Sequence, residues 1–159
     1  MKPKEILVFG ATGNIGRNLI RKLTKNNYKV VAVTRNIHQK GIKLKTQANP
    51  GYLELVELEN LNKEKIKDLF KSCSVCINLI GILYEKNKGQ FVNIHTNLPN
   101  ILSKIAKEKK IDQFIHVSAL GVENALDSIY AKSKLDGETT VKKNFKNSLI
   151  LKPSIVYGI

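Results

Sequence analysis

The sequence contains no apolar run long enough to cross a membrane. A membrane-spanning helix needs roughly 20 consecutive apolar residues, whereas the apolar runs in this chain have the length of single strands. The first run begins at about Glu5, which leaves no room for a signal or transit peptide. We therefore expect a cytoplasmic protein with one domain over residues 1–159.

Cysteine is scarce, and this scarcity limits redox and metal chemistry. The only two cysteines, Cys73 and Cys76, have the spacing C-x-x-C. A zinc or redox site requires a second pair of ligands or an adjacent helix N-terminus, and the sequence shows neither. Val75 and Cys76 continue into an apolar strand. We therefore interpret the pair as ordinary thiols of a reducing compartment and predict no metal site.

Acidic residues are few beside the basic ones. Lys and Arg total 27 against 13 Asp and Glu, which gives a net charge of +14. Such a charge can attract nucleic acid, anionic lipid or a phosphorylated ligand. The lysines, however, are spread through every polar segment and do not alternate with aromatic residues, as a nucleic-acid surface usually requires. We expect no specific nucleic-acid partner.

Short apolar runs alternate with helical patterns along the whole chain. This alternation predicts a doubly wound parallel sheet, an α/β domain of about six strands, because parallel strands need long crossover connections. The segment 36–51, between the second and third strands, is the longest predicted loop and the most flexible stretch. The predicted strands are about 5–9, 28–33, 52–56, 75–80, 113–117 and 148–151, and the predicted helices are about 15–25, 63–70, 91–109 and 128–143.

A glycine motif follows the first strand directly. It reads G-x-x-G-x-x-G and opens the first helix, which is the arrangement of a dinucleotide-binding loop. Its glycines permit a tight turn, the approach of a pyrophosphate and close packing of helix on strand, while the helix N-terminus attracts the anion. The residues that we expect to contact the dinucleotide here are Gly10, Thr12, Gly13, Asn14, Ile15 and Gly16.

The end of the second strand bears on the choice between NAD and NADP. NAD-binding proteins place an acid there to bind the ribose hydroxyls, whereas a base accommodates the 2′-phosphate of NADP. This sequence has Thr34 and Arg35 at the strand end and no acid. The arginine can donate to a phosphate in bidentate fashion, although a solvated surface base is the alternative. We predict NADP(H), with NAD(H) less favoured.

A tyrosine and a lysine share one face of the last predicted helix. Tyr130 and Lys134 have the spacing Y-x-x-x-K. A nearby ammonium favours the phenolate, so we expect Lys134 to lower the pKa of Tyr130, as a general acid or base requires. In a lysine-rich chain the pattern alone is common, but its position after the fifth strand is typical of a catalytic pair.

These motifs together resemble the short-chain dehydrogenase/reductase superfamily, in its extended and atypical branches. The phrases HVSALG, YAKSKLDGE and LKPSIVYG are most similar to the accessory Rossmann-type subunit of respiratory complex I and its bacterial relatives. The resemblance covers essentially the whole chain. It implies NADP(H) binding with a structural, assembly or quinone-metabolism role involving ubiquinone, and weak or no turnover. The alternative is an NAD(P)-dependent oxidoreductase or epimerase/dehydratase that uses Tyr130 and Lys134.

The resemblance also implies further site residues. Tyr130 and Lys134 become the candidates for the catalytic or nicotinamide-ribose pair. The third candidate, Ser118, stands one position before Ala119, where one alignment places the superfamily's hydroxyl. Adjacent strand residues point to opposite faces, so this shift puts redox or epimerase chemistry in doubt. The implied contacts to adenine, the cofactor border and the nicotinamide end are Glu57, Leu58, Leu79, Ile80, Gly81, Pro153 and Ile155.

The resemblance predicts that the domain is truncated after the sixth strand. Extended members continue with a segment that supplies most of the substrate pocket, so this chain is either part of a longer reading frame or a minimal module with a partner. Without that segment, we expect apolar residues to be exposed, with self-association or a protein partner covering them. The complex I resemblance adds possible attachment at the periphery of the inner membrane. The apolar residues are Ile80, Ile82, Leu83, Leu120, Ile155 and Val156.

Overall fold

The computed structural model describes residues 5–60 and 62–157. Six strands form a sheet in the order β3-β2-β1-β4-β5-β6, and every strand pair whose register is described is parallel. This order is that of a doubly wound Rossmann fold, which confirms the predicted fold class. The strands are β1 Glu5–Phe9, β2 Val30–Thr34, β3 Leu53–Glu57, β4 Cys73–Asn78, β5 Gln113–Val117 and β6 Leu149–Leu151.

The α-helices fall between these strands, and all but the second lie close to their predicted positions. They are α1 Asn14–Lys25, α2 Ile42–Lys45, α3 Lys63–Leu69, α4 Leu98–Glu108 and α5 Ile129–Asn144. Among the described residues, no helix combines the length and the apolar character that a membrane crossing demands. The chain divides into two compact units, the first reaching Leu79 and the second extending over Ile80–Tyr157.

The first unit is built on strands that are buried along their length. Leu7, Val8 and Phe9 of β1 are completely inaccessible to solvent, and all five residues of β2 are buried. Strands that are covered on both faces lose the alternation of apolar and polar residues, which is why they read as continuous apolar runs in the sequence. The ring of Phe9 stacks on that of Phe70, just after α3, with 6.5 Å between centroids.

The segment 36–51 is more ordered than the sequence analysis expected. A π-helical turn, Ile37–Gly41, leads directly into α2. The side chain of Asn36 caps this turn by accepting the Gln39 N–H at 2.9 Å, and Leu44 is buried. The prediction of one long flexible loop was therefore wrong, because a local cap and one buried leucine are signals too short for a periodicity argument.

In the second unit, the predicted helix 91–109 is two segments. Val92–Asn97 has π-helical geometry and α4 follows it. Proline has no N–H, so Pro99 cannot donate to the carbonyl of His95 four residues earlier, and the backbone widens at this point. Beyond α4, the ring of Phe114 in β5 lies 6.2 Å from that of Phe145, which follows α5.

Candidate functional site

The glycine loop of the first unit has the geometry of a phosphate-binding turn. Gly10 has a φ of 79°, in the left-handed region that favours glycine. The Gly13 N–H donates to the Gly10 carbonyl at 3.1 Å and closes the turn. A Cβ on Gly16 would collide with the carbonyl oxygens of Gly10 and Ala11, so α1 can approach β1 only with glycine at this position. The structure thus confirms the packing expected of the third glycine.

The N-terminus of α1 is suited to an anion. Gly13 precedes the helix and provides no side-chain cap, and the first turn contains no acidic residue. Gly13 is exposed, while Thr12, Asn14 and Ile15 are half-buried around it. The helix dipole and the backbone N–H groups therefore face this position without competition from a carboxylate. This cradle fits the pyrophosphate of a dinucleotide.

The two predicted residues at the end of β2 differ in accessibility. Arg35 is exposed. Thr34 is buried, and its hydroxyl lies 3.4 Å from both the N–H and the carbonyl oxygen of Asn36. The threonine hydroxyl is therefore engaged with its own chain, and Arg35 is the residue of this pair that presents its donors to solvent.

The expected adenine residues lie at the end of β3. A carboxylate oxygen of Glu57 accepts the Ile37 N–H at 3.2 Å, so this acid holds the π-helical turn after β2. Leu58 is buried, and its N–H donates to the Thr34 carbonyl at 2.8 Å. Leu79 is half-buried and donates its N–H to the Phe9 carbonyl at 3.0 Å. Contact with adenine or with the cofactor border stays a prediction for these residues.

The tyrosine and lysine of the motif occupy the first half of α5 in the second unit. The Ser128 hydroxyl caps this helix by accepting the Ala131 N–H. Tyr130 is half-buried, whereas Lys134 is buried and its Nζ donates to the Val117 carbonyl at 3.4 Å. A Cβ on Gly81 would lie 3.1 Å from that Nζ, so the glycine backbone passes directly beside the ammonium group.

The electrostatics of this pair differ from the expectation. Burial raises the pKa of Tyr130 above its ordinary value of 10, so the predicted lowering by Lys134 was wrong. Burial also lowers the pKa of Lys134 to about 8, partly countered by the charge of Glu138. Desolvation disfavours the charged form of each group, and the i, i+4 spacing does not by itself overcome that cost. At neutral pH the site holds a neutral phenol and an easily deprotonated ammonium group.

A buried histidine that the sequence analysis missed belongs to this cluster. His95 Nε2 accepts the Ile82 N–H at 3.1 Å, and Nδ1 lies 2.9 Å from the Ser133 hydroxyl. Its ring contacts Tyr130 edge-on at 5.3 Å and stacks on Phe91 at 5.3 Å. The sequence signal was available, since His95 shares one helical face with the buried Leu98, Leu102 and Ile105.

The hydrogen bonds define the tautomer of this histidine. The Ser133 hydroxyl donates to the Tyr130 carbonyl at 2.7 Å, so it is free only to accept from His95 Nδ1. The other ring nitrogen, Nε2, then accepts from Ile82 as a neutral imidazole. Burial and the charge of Lys134 lower the pKa of His95 to about 4, which keeps this form at neutral pH.

The third catalytic candidate, Ser118, follows β5. It is 5% exposed, its N–H donates to the Leu151 carbonyl at 2.8 Å, and its hydroxyl has no hydrogen-bond partner among the described residues. The next residue, Ala119, is half-buried. A buried hydroxyl without a partner is uncommon, but its catalytic role stays a prediction.

The remaining predicted positions lie in the segments that follow β4 and β6. Ile80 and Pro153 are half-buried, and the Pro153 carbonyl accepts the Leu120 N–H at 2.9 Å. Ile155 is 88% exposed. We refer to six exposed apolar side chains in the segments that follow β4, β5 and β6 as the apolar tip, which consists of Leu83, Tyr84, Leu120, Ile155, Val156 and Tyr157. The described residues contain no group of three or more His, Cys, Asp or Glu side chains placed to hold a metal ion.

The strand order and the glycine loop define a Rossmann-type nucleotide-binding module. The sequence profile of the NmrA-like family matches residues 2–157, and the chain belongs to this family. Gly158, the last residue of the LKPSIVYG phrase, lies outside the described residues.

Curated relatives of the chain include subunits of NADH dehydrogenase (ubiquinone). The chain is 30% identical over 151 residues to subunit 9 of the NADH dehydrogenase (ubiquinone) 1 alpha subcomplex of Mus musculus, covering 95% of this chain and 40% of that protein. It is 27% identical to the NADH-ubiquinone oxidoreductase 40 kDa subunit of Neurospora crassa, with the same coverage. A ceramide reductase of Caulobacter vibrioides is 25% identical and is covered to 46%. The complex I resemblance is thereby confirmed, and the chain spans less than half the length of these relatives.

Solved structures agree with the fold. The UDP-glucuronic acid 4-epimerase of Bacillus cereus, solved in complex with NAD, superposes with a TM-score of 0.78 at 25% identity, covering 97% of this chain and 57% of that one. The enzyme WbmH of Bordetella bronchiseptica, solved with NAD⁺, gives 0.76 at 14% identity, with 94% and 55% covered. Similar folds in these structures bind NAD, while the choice between NAD and NADP in this chain is a separate question.

Proposed function

We propose that this chain is an NADP(H)-binding module with weak or no turnover. The observation that carries the proposal is Arg35, which is exposed at the end of β2 where an NAD-binding protein has an acid. Its planar guanidinium can donate two hydrogen bonds to the 2′-phosphate. The Gly10–Gly16 loop and the dipole of α1 bind the pyrophosphate.

The other predicted residues have supporting roles in this proposal. Glu57 holds the turn after β2 through Ile37, and the buried Leu58 follows it at the position assigned to adenine. Tyr130 and Lys134 orient the nicotinamide ribose, with hydroxyl groups as their natural partners. The bound nicotinamide would supply hydride chemistry if a substrate were present.

The names of the relatives support a role in a respiratory assembly. Two of them are subunits of NADH dehydrogenase, and we propose that this chain likewise acts in assembly, structure or quinone metabolism. The apolar tip is the surface that a protein partner or a second copy would cover, because exposed apolar clusters usually mark an interaction site. The same proposal places the protein in the cytoplasm, with peripheral attachment at the inner membrane.

A second candidate is an oxidoreductase or epimerase/dehydratase activity. Its support is the Tyr130–Lys134 pair, in which Lys134 has a pKa of about 8. The raised pKa of Tyr130 weighs against it, because a general base near neutrality needs an accessible phenolate. We therefore rank binding without robust turnover first.

The deciding experiment measures the dissociation constants of NADPH and NADH. We expect the purified chain to bind NADPH at least about tenfold more tightly, which is the effect of one charge-assisted contact. The Arg35→Ala variant should lose most of that preference and keep its NADH affinity.

The matched control is Arg21→Ala. Arg21 is an exposed arginine of the same unit, and its guanidinium donates to the Asn18 side-chain oxygen at 3.4 Å. This variant should retain the NADPH preference. Equal affinities for NADPH and NADH in the unmodified chain would overturn the NADP assignment.

A further inference from the structure

His95 connects two separate segments of the second unit. Through Nε2 it binds the backbone N–H of Ile82, in the chain that follows β4. Through Nδ1 it binds Ser133, whose hydroxyl in turn donates to the Tyr130 carbonyl in the first turn of α5. Both ring nitrogens are therefore hydrogen-bonded, one to the chain after β4 and the other to α5. These two segments lie beside the buried Lys134 ammonium group.

The surroundings fix His95 itself. Its ring packs against the rings of Phe91 and Tyr130, which also contact each other edge-on at 5.6 Å, so the three rings form a triangle. The Thr96 hydroxyl donates to the Ser133 carbonyl at 3.0 Å. A Cβ on Gly137 would collide with the His95 carbonyl, so α5 packs directly against this stretch of backbone. Contacts to its ring and contacts to its backbone thus both hold His95 in place.

We propose that His95 is a positioning residue, which fixes the Gly81–Ile82 backbone and the Tyr130 ring relative to each other for binding of the nicotinamide end of the cofactor. This inference rests on the proposed function, which assigns Tyr130 to the nicotinamide ribose, and on the predicted place of Gly81 at the border of the cofactor. It does not make His95 a catalytic residue, because both of its nitrogens are committed to the protein.

Two conservative substitutions separate the two connections. In His95→Gln, the side-chain amide reaches the position of Nε2 and can still accept from Ile82, but the link to Ser133 is lost. In His95→Asn, the amide reaches the position of Nδ1 and can still donate to Ser133, but the link to Ile82 is lost. His95→Ala removes both connections, and His38→Ala removes an exposed histidine of the first unit as a control.

Amide hydrogen exchange without any nucleotide tests the connections directly. His95→Ala should accelerate exchange about tenfold or more both at Ile82 and in the first turn of α5. His95→Gln should accelerate it mainly in α5, and His95→Asn mainly at Ile82. A purely structural loss would accelerate exchange in both segments for every variant, and this result would overturn the proposal, as would no change at either segment.

Nucleotide binding then tests the consequence for the cofactor. His95→Ala should lower the affinity for NADPH about tenfold. The affinity for 2′,5′-ADP, which lacks the nicotinamide half, should change by less than about twofold. Equal weakening of both ligands, or of neither, would overturn the positioning role. If the unmodified chain binds neither ligand, the proposed function fails, and the exchange pattern still decides whether His95 holds the two segments. Should His95→Ala not fold, the Gln and Asn variants carry the same comparisons.

Discussion

The two units of the chain bury different kinds of polar residue. In the first unit, the described buried polar residues are all uncharged, namely Thr24, Thr34, Ser74 and Asn78. The second unit buries His95, His116, Lys134 and Glu138, and most of the exposed large apolar side chains belong to it. The first unit thus separates apolar from charged groups in the usual way, and the second does so much less.

This difference matches two ways of building a binding site. The glycine loop of the first unit offers backbone N–H groups and a helix dipole, which do not titrate in the physiological range. Tyr130, Lys134 and His95 of the second unit instead offer ionisable side chains, whose pKa values depend on burial. We therefore expect substitutions in the first unit to act through steric fit and those in the second to act through charge and pH.

The largest expected effect is a steric one in the first unit. Gly16→Ala should lower the free energy of unfolding by about 4 kcal/mol, because two backbone carbonyls would have to move. Gly13→Ala is the matched control, since its Cβ would meet only the Gly10 carbonyl at 3.4 Å. Urea unfolding of both variants measures the difference. Similar free energies of unfolding for the two variants would show that α1 can move away from β1 without loss of stability.

The next effect should be acid sensitivity that originates in the second unit. The folded pKa is about 4 for His95 and about 3 for His116, against an ordinary 6.5, with burial as the main cause in both. As the pH falls below 6.5, the unfolded chain takes up protons that the folded chain does not, so stability decreases. For His95 alone the loss by pH 4 is about 3 kcal/mol.

Urea unfolding between pH 7 and pH 4 measures this loss. His95→Gln should flatten the pH profile, and His38→Gln, at an exposed position in the first unit, should leave it unchanged. If the stability of His95→Gln falls with pH as steeply as that of the unmodified chain, other groups cause the acid sensitivity.

A smaller effect, of opposite sign, is expected at Lys134. Its pKa of about 8 reflects the cost of holding an ammonium group in a buried position. Lys134→Met should therefore raise the free energy of unfolding at pH 7. The net gain is about 1 kcal/mol, because the variant also loses the hydrogen bond to the Val117 carbonyl. Lys132→Met, at an exposed position of the same helix, should have little effect. Destabilisation by Lys134→Met would mean that the lysine is a structural part of the unit.

The smallest effect is expected from Tyr130→Phe. Phenylalanine keeps the ring contacts with Phe91 and His95 and loses only the hydroxyl, which is one neutral hydrogen bond to the ribose, so NADPH affinity should fall only about threefold. No robust reduction of a carbonyl or quinone by NADPH should be detected in either protein. Clear turnover in the unmodified chain that disappears in Tyr130→Phe would reverse our ranking of the two candidate functions.

The sequence was sufficient for the fold because each strand has a strong apolar signal. The predicted strands 5–9 and 113–117 coincide with β1 and β5, and the others differ by at most two residues at either end. The turn after β2 escaped prediction because it depends on the single cap at Asn36 and on Glu57, which is distant in sequence. Such contacts between distant residues leave no periodic signal.

The site was predictable in part, for a related reason. Motif spacing identified the glycine loop and placed Tyr130 and Lys134 on one helical face, which are local properties. The role of His95 depends on Ile82 and Ser133, thirteen and thirty-eight residues away. The pKa of Tyr130 depends on burial, which spacing alone does not give. A histidine on an apolar helical face was the one signal that the sequence offered.

The reactivity of the two cysteines can report when the first unit opens. Cys73 and Cys76 are both buried in β4, and burial raises the pKa of the Cys76 thiol well above its usual value. A thiol reagent attacks the thiolate, so labelling requires β4 to become exposed first. The second unit contains no cysteine. Pulsed alkylation followed by mass spectrometry would thus time the opening of one half of the molecule without an introduced probe.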